Sequence, residues 1–263
     1  MYKLSFFIVL FALAFTACNA PESTPETKSA AVTEENPPAD GFDAANSDEK
    51  AIALADLVMK AMGGRPAWDS TRFIEWDFFG ARKLYWDKQT GRVRIHSEKD
   101  DYTVLMNIND MKGKVRKGGE EFSHPDSLSK YLQMGKEVWI NDSYWLVMPF
   151  KLKDSGVRLT YAREDTTQTG QKADVLDLQF KNVGVTPNNR YEVYVDQEDH
   201  LVTQWNFFTN ATDSMPRFST PWDGYKQHGK IMLSSGRGNY QLSEIAVRES
   251  MADAAFESFD WTE

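Results

Sequence analysis

The chain has 263 residues, 41% of them hydrophobic and 13% aromatic, with eight Trp, which suffices for one large all-β domain or two small ones with a sizeable core. Its formal net charge of -9 disfavours nucleic acid and anionic membrane surfaces as electrostatic partners. A single cysteine, Cys18, excludes an internal disulfide.

Residues 1–17 read as an export signal. Lys3 supplies the positive start, and residues 4–15 form a near-continuous apolar run, too short to span a bilayer comfortably. Phe15-Thr16-Ala17-Cys18 resembles the bacterial lipobox, with Phe15 where Leu is usual. The resemblance implies acylation of Cys18, removal of the signal, and a membrane partner held through the anchor. Several acyl chains anchor stably, because each buried methylene contributes about 0.8 kcal/mol. An ordinary signal peptide with a chance cysteine and a short uncleaved anchor are the competing readings. By the sorting rules of bacterial lipoproteins, Asn19 rather than Asp after the cysteine points to the periplasmic face of the outer membrane. Residues 18–45 then form the lipidated cysteine and a disordered acidic tether. The tether holds Pro21, Pro25, Pro37 and Pro38, and Phe42 is its only aromatic. Residues 19–50 carry eight acids and two bases, too little apolar surface to offset ordering entropy.

A single folded domain is expected over 46–263. Its first element is a helix over 46–62, with Asn46 as N-cap and Glu49 in a capping-box position. Ile52, Ala55, Val58, Met59 and Met62 give it one apolar stripe, and Gly63-Gly64 ends it. Over 73–96 the period is two. Ile74, Trp76, Phe78, Leu84, Trp86, Val93 and Ile95 share an apolar face. Glu75, Asp77, Lys83, Asp87, Arg92 and Arg94 share a wet one. Tyr102 to Ile108 alternate again, and a shorter strand near 112–117 follows.

Residues 125–150 are too apolar for a loop and do not alternate. They read as a helical insertion, interrupted at Asn141-Asp142-Ser143, that packs over one opening of the sheet. Alternation resumes in the strands containing Val157 to Tyr161, Leu176 to Phe180, Tyr191 to Val195 and Leu201 to Phe207. Residues 215–229, with Pro216, Pro221, Trp222 and Tyr225, read as a long loop. Ile231 and Leu233 start another strand, and Tyr240 to Val247 the last, with a bulge near Ser243. The tail with Phe256, Phe259 and Trp261 is expected to tuck back. The fold class is thus mainly β with helices. About eleven antiparallel strands must curl, close or be covered to hide one apolar face.

This order of elements resembles the lipoprotein-carrier (LolA/LolB-like) superfamily. That resemblance implies a curved sheet forming an incomplete, half-open β-barrel, plugged by the N-terminal helix and the inserted segment. It covers about 46–247. The phrases AMGGRPAW (61–68), WDFFGARKLYWD (76–87), WINDSYWLVMPFKL (139–152) and YEVYVDQEDHLVTQW (191–205) also resemble an uncharacterised family of Gram-negative lipoproteins. The superfamily implies capture of acyl chains or lipidated protein in an apolar cavity. A dedicated soluble carrier lacks an anchor, so Cys18 places this chain nearer the anchored receptor-type members.

No catalytic or metal motif emerges. His96, His124, His200 and His228 lack ligand spacing, and the acidic turns at 100–101 and 196–199 lack the pattern of a calcium loop. There is no nucleophile elbow and no phosphate loop. No cofactor is expected. The aromatics are core, ligand wall, or both. The candidates for a ligand cavity are Trp76, Phe78, Leu84, Trp86, Tyr131, Trp139, Trp145, Trp205 and Phe207, with Cys18 for lipidation. The expected function is a membrane-tethered, monomeric envelope protein that binds an acyl chain, lipid or other hydrophobic small molecule, and not an enzyme. A glycan-binding or envelope-scaffold module is the alternative, with a hydrolase behind it.

Overall fold

In the computed structural model the described residues are 1, 35–181 and 188–262. The signal, lipobox and Cys18 readings lie outside them. Helices α1 (Glu49–Ala61) and α2 (Arg65–Ser70) precede a meander of β1 (Phe73–Phe78), β2 (Arg82–Asp87), β3 (Arg92–Ser97), β4 (Tyr102–Asn107), β5 (Gly113–Lys117) and β6 (Glu120–Glu121). Helix α3 (Pro125–Val147) leads to β7 (Val157–Thr166), β8 (Lys172–Phe180), β9 (Arg190–Asp196), β10 (Val202–Phe208) and β11 (Phe218–Pro221). Then come β12 (Asp223–His228), β13 (Ile231–Arg237), β14 (Tyr240–Gln241), β15 (Ser243–Arg248) and the short α4 (Ala254–Glu257).

The strands form three antiparallel sheets, ordered β15-β1-β2-β3-β4-β5-β6, β11-β10-β9-β8-β7 and β12-β13-β14. β11 lies against β13 and β12 against β15, so the sheets succeed one another in an open series from β7 to β6. Among the described residues β6 does not pair with β7, and no barrel closes. The chain leaves the sheet at β6 and re-enters it at β7, at opposite ends of that series. α3 makes this crossing on the apolar side, packed on β3, β4, β5 and β13. One core joins the inner faces of all three sheets to α1 and α3.

The period-two reading of 73–96 gives the inward face correctly: Ile74, Trp76, Phe78, Leu84, Trp86, Val93 and Ile95 are buried in that core. The outward face is only partly wet: Asp77, Lys83 and Arg92 keep some exposure. Glu75, Asp87 and Arg94 are buried as well, and the C-terminal tail packs on this face over Phe73, Tyr85 and Arg94. Phe256 stacks on Phe73, Trp261 meets Tyr85 edge-on at 5.1 Å, and Arg94 donates to the carbonyls of Ala255, Ser258 and Phe259. Each buried charge there has a partner. Glu75 accepts both forks of Arg248, and Asp87 accepts from Arg72 and Arg92.

Several local expectations change. α1 starts at Glu49 with Asp48 as N-cap and no capping box; the Asp48 carboxylate instead accepts from the Tyr161 amide in β7. The buried stripe is Ala51, Leu54, Ala55, Val58, Met59 and Met62, with Ile52 at its edge. Gly63 ends the helix at φ 112, and a Cβ there would meet the Lys230 carbonyl at 2.4 Å, so the helix end rests on the β12–β13 hairpin. Residues 36–45, assigned by composition to the tether, pack on the domain. Asn36 is buried against Asp56, and the Ala39 and Asp43 amides donate to Lys153 and Val157.

α3 runs through Asn141-Asp142-Ser143 unbroken, since Asp142 forms a buried fork with Arg82 of β2 at 2.6 and 2.9 Å. The 215–229 stretch is not a loop but contributes β11 and β12. With the two-residue β6 and β14, the described residues hold fifteen strands, not about eleven.

Candidate functional site

Two sides of α3 meet their sheets differently. Leu128, Leu132, Gly135, Trp139, Asp142 and Leu146 recur at alternating spacings of four and three, which places them on one side of the helix. That side faces the seven-stranded sheet. A Cβ on Gly135 would sit 2.9 Å from Val104 Cγ1 and 3.1 Å from Met106 Sδ, so helix and sheet touch directly. Glu137, Ile140, Asn141 and Tyr144 occupy the neighbouring side, again three and four apart. They face β9 and β10, and there the helix stands off.

The gap is a cavity of about 630 Å3. Its strand wall is a ladder of rings. Tyr191, Phe207 and Phe218 lie directly opposite one another across β9, β10 and β11, and Trp205 follows one position deeper on the same face. Phe180 and Val157 extend this wall toward β7. Trp139, Ile140, Tyr144 and Trp145 of α3 form the other wall. Trp145 meets Trp205 edge-on at 4.7 Å and stacks on Phe218 at 6.1 Å. Tyr144 stacks on Trp205 at 5.9 Å. Such bulky pairs prop the helix away from the sheet.

The polar atoms are few. At the mouth Lys151 and Asp154 are ion-paired. Glu137, Asn141, Ser143, Ser155 and Asn189 complete the lining, with no histidine or cysteine among the lining residues. Inside, the Tyr144 hydroxyl and the Trp139 and Trp205 indole nitrogens are covered without a hydrogen-bond partner among the described residues. Burial holds the Tyr144 phenol well above its ordinary pKa, and Tyr191 and Asp154 push the same way, so it is neutral and able to donate. Burial also raises Tyr191, opposed by a hydrogen bond to Asn189. A mostly apolar cavity with three buried donors and few charged side chains suits capture of an apolar chain.

Of the sequence candidates, Trp139, Trp145, Trp205 and Phe207 line this cavity. Trp76, Phe78, Leu84 and Trp86 face the same core but sit in its filled part, where Trp86 meets Trp139 at 5.3 Å and Trp68 at 6.4 Å. Tyr131 lies toward the other end of α3, stacked on Phe122 at 4.6 Å. Sequence reasoning did not nominate Tyr144, Phe180, Tyr191 or Phe218. Three of these were within reach, since Tyr191 and Phe180 share faces with their strand neighbours and Tyr144 precedes Trp145. Phe218 fell in the presumed loop.

No protein-family model matches the chain, and no curated protein matches it. Solved structures are similar to it. A DUF1329 family protein from Desulfovibrio piger is 13% identical, with a TM-score of 0.45, covering 80% of this chain and 98% of its own. A LolA superfamily protein from Nitrosomonas europaea is 8% identical, with a TM-score of 0.40 and coverages of 78% and 96%. A domain from Vibrio parahaemolyticus, named for outer membrane lipoprotein sorting, is 9% identical, with a TM-score of 0.39 and coverages of 79% and 96%. The structural neighbours of this chain include DUF1329 family and LolA superfamily proteins.

Proposed function

We propose that the protein is an envelope lipoprotein, tethered through Cys18 to the periplasmic face of the outer membrane, that receives an acyl chain or similar amphiphile between α3 and β9–β11. The observation that carries this reading is the aromatic cavity of about 630 Å3. Ligand pockets span roughly 300–1,000 Å3 and are mostly apolar with a few placed polar groups. Burial of the chain drives binding at about 25 cal/mol per Å2. The reading uses no catalytic step. The half-open barrel enters here as part of the proposal: the open series of sheets leaves one side for α3, and the cavity is where α3 fails to fill it.

Stacking on exposed aromatics, as for a glycan, gains nothing from Trp222 and Tyr225. Trp222 is 1% exposed, and the Tyr225 hydroxyl donates to the Val202 carbonyl.

Native mass spectrometry of protein extracted gently from membranes tests the cavity. Adducts of one acyl-bearing molecule per chain are expected; a bare mass that takes up no added dodecanol sinks the reading. Fractionation tests the tether. Cys18→Ser is expected in the soluble fraction, and its persistence with membranes contradicts lipidation.

A further inference from the structure

A second cavity of about 560 Å3 adjoins the first, and Trp145 and Phe218 line both. Its walls include Gln168, Thr220, Asn239, Tyr240 and Arg237, and no acidic residue. Arg237 is 2% exposed. Among the described residues no carboxylate lies within ion-pair distance of it. Its Nη1 donates to Ser234 Oγ at 2.8 Å and to the Gly236 carbonyl; its Nη2 donates to the Trp145 carbonyl of α3 and, at 3.4 Å, to that of Ser234. The guanidinium lies 3.6 Å over the Trp222 ring. Its Nε–H is buried without a hydrogen-bond partner among the described residues.

Carbonyls and a ring face supply partial charge only. Burying a guanidinium without a counter-charge is costly, and arginine does not escape by deprotonating at neutral pH. Burial pushes Arg237 down to about 9, opposed by Tyr225 and Asp223, which leaves the cation intact. A purely structural tie between α3 and β13 explains the carbonyl contacts. It does not explain an unpartnered Nε–H beside a cavity with no acid in its wall.

We propose that the ligand is an anionic amphiphile, with its carboxylate or phosphate in the second cavity beside Arg237 and its chain passing Trp145 and Phe218 into the aromatic cavity. This rests on the chain-binding reading above. Asn239 and Tyr240, exposed at the β13–β14 turn, stand at the open side of the headgroup cavity.

The test is a set of tryptophan-fluorescence titrations with dodecanoate, dodecanol and inorganic phosphate. Dodecanoate is expected to bind about tenfold tighter than dodecanol, the size of one charge-assisted hydrogen bond. Arg237→Gln is expected to erase that ratio, whatever it does to the affinity for dodecanol itself. Asn239→Asp, at an exposed turn position, places a like charge beside the headgroup and is expected to shrink the ratio with no risk to folding; it decides the matter if Arg237→Gln does not fold. Equal affinity for acid and alcohol in the wild type overturns the headgroup proposal and leaves the apolar cavity standing. Binding of neither overturns both. Saturable binding of inorganic phosphate with no gain from a chain assigns the cavity to a free anion and overturns the amphiphile.

Discussion

Two neighbouring sides of α3 rest on the same apolar side of the molecule, yet one contact is solid and the other is hollow. Against the seven-stranded sheet, Gly135 brings helix and strand into direct contact, and Leu132, Leu146 and Trp86 fill what remains. Against the five-stranded sheet, Tyr144 and Trp145 meet Trp205, Tyr191 and Phe218 ring to ring, and the interval between rings stays open. The lesson is about residue size at the crossing. Small residues close a helix onto a sheet; opposed large rings hold it off and leave space between them. The outer faces differ in the same sense. The seven-stranded sheet is sealed by the C-terminal tail. The five-stranded sheet carries a polar network there, in which Arg163 forks onto Glu192 and Asn206 bridges to Tyr194.

The contrast breaks most sharply at Trp86. Trp86→Ala removes the ring that joins Trp68 to Trp139 in the filled half. A loss of about 3–5 kcal/mol in urea unfolding is expected. A loss near that expected for a surface residue would mean the filled half is not filled. Next comes Gly135→Leu, which overpacks the close crossing against Val104 and Met106 and is expected to cost about 1–3 kcal/mol by the same measurement.

The sealed outer face gives a pH test. Burial works to raise the Asp87 pKa, but hydrogen bonds from Arg72, Thr90 and Arg92 outweigh it and bring the carboxyl from 3.8 to about 2. The folded state therefore binds that proton less readily than the unfolded chain. Asp87 adds stability above the unfolded pKa, and the contribution fades as pH falls from about 4 toward 2. Its size is at most about 2 kcal/mol, reduced by the exposure of Arg72. Asp87→Asn is expected to flatten the acid limb of a stability-versus-pH curve; an unchanged limb contradicts the pairing. The smallest effect belongs to the hollow half. Phe207 is half-buried beside open space, and Phe207→Ala is expected to cost about 1 kcal/mol.

Sequence periodicity makes much of this legible. The inward faces of β1 to β4 and β7 to β10 follow from alternation, and the helical insertion follows from its failure to alternate. What stays hidden is what depends on distant partners. Asn141-Asp142-Ser143 resembles a break because polar residues favour turns. It is helix because Arg82, sixty residues earlier, answers Asp142 inside the core. Glu75 and Arg94 resemble a solvent face until partners more than 150 residues later, Arg248 for one and the tail for the other, cover them. Proline at 216 and 221 resembles a loop, yet Phe218 and Thr220 pair with Phe207 and Trp205 as an edge strand. The cavity shows the same limit. Alternation places Trp76 and Trp205 on equivalent faces, and only the thickness of the helix facing each decides which lines a space.

The measurement closest to the central claim is a dodecanol titration of the wild type beside Ile140→Trp, which places a large ring on the cavity wall of α3. The account predicts saturable binding of one molecule per chain to the wild type, and its loss by more than about tenfold in Ile140→Trp with stability unchanged or raised. No saturable binding to the wild type, or equal binding to both proteins, would contradict it.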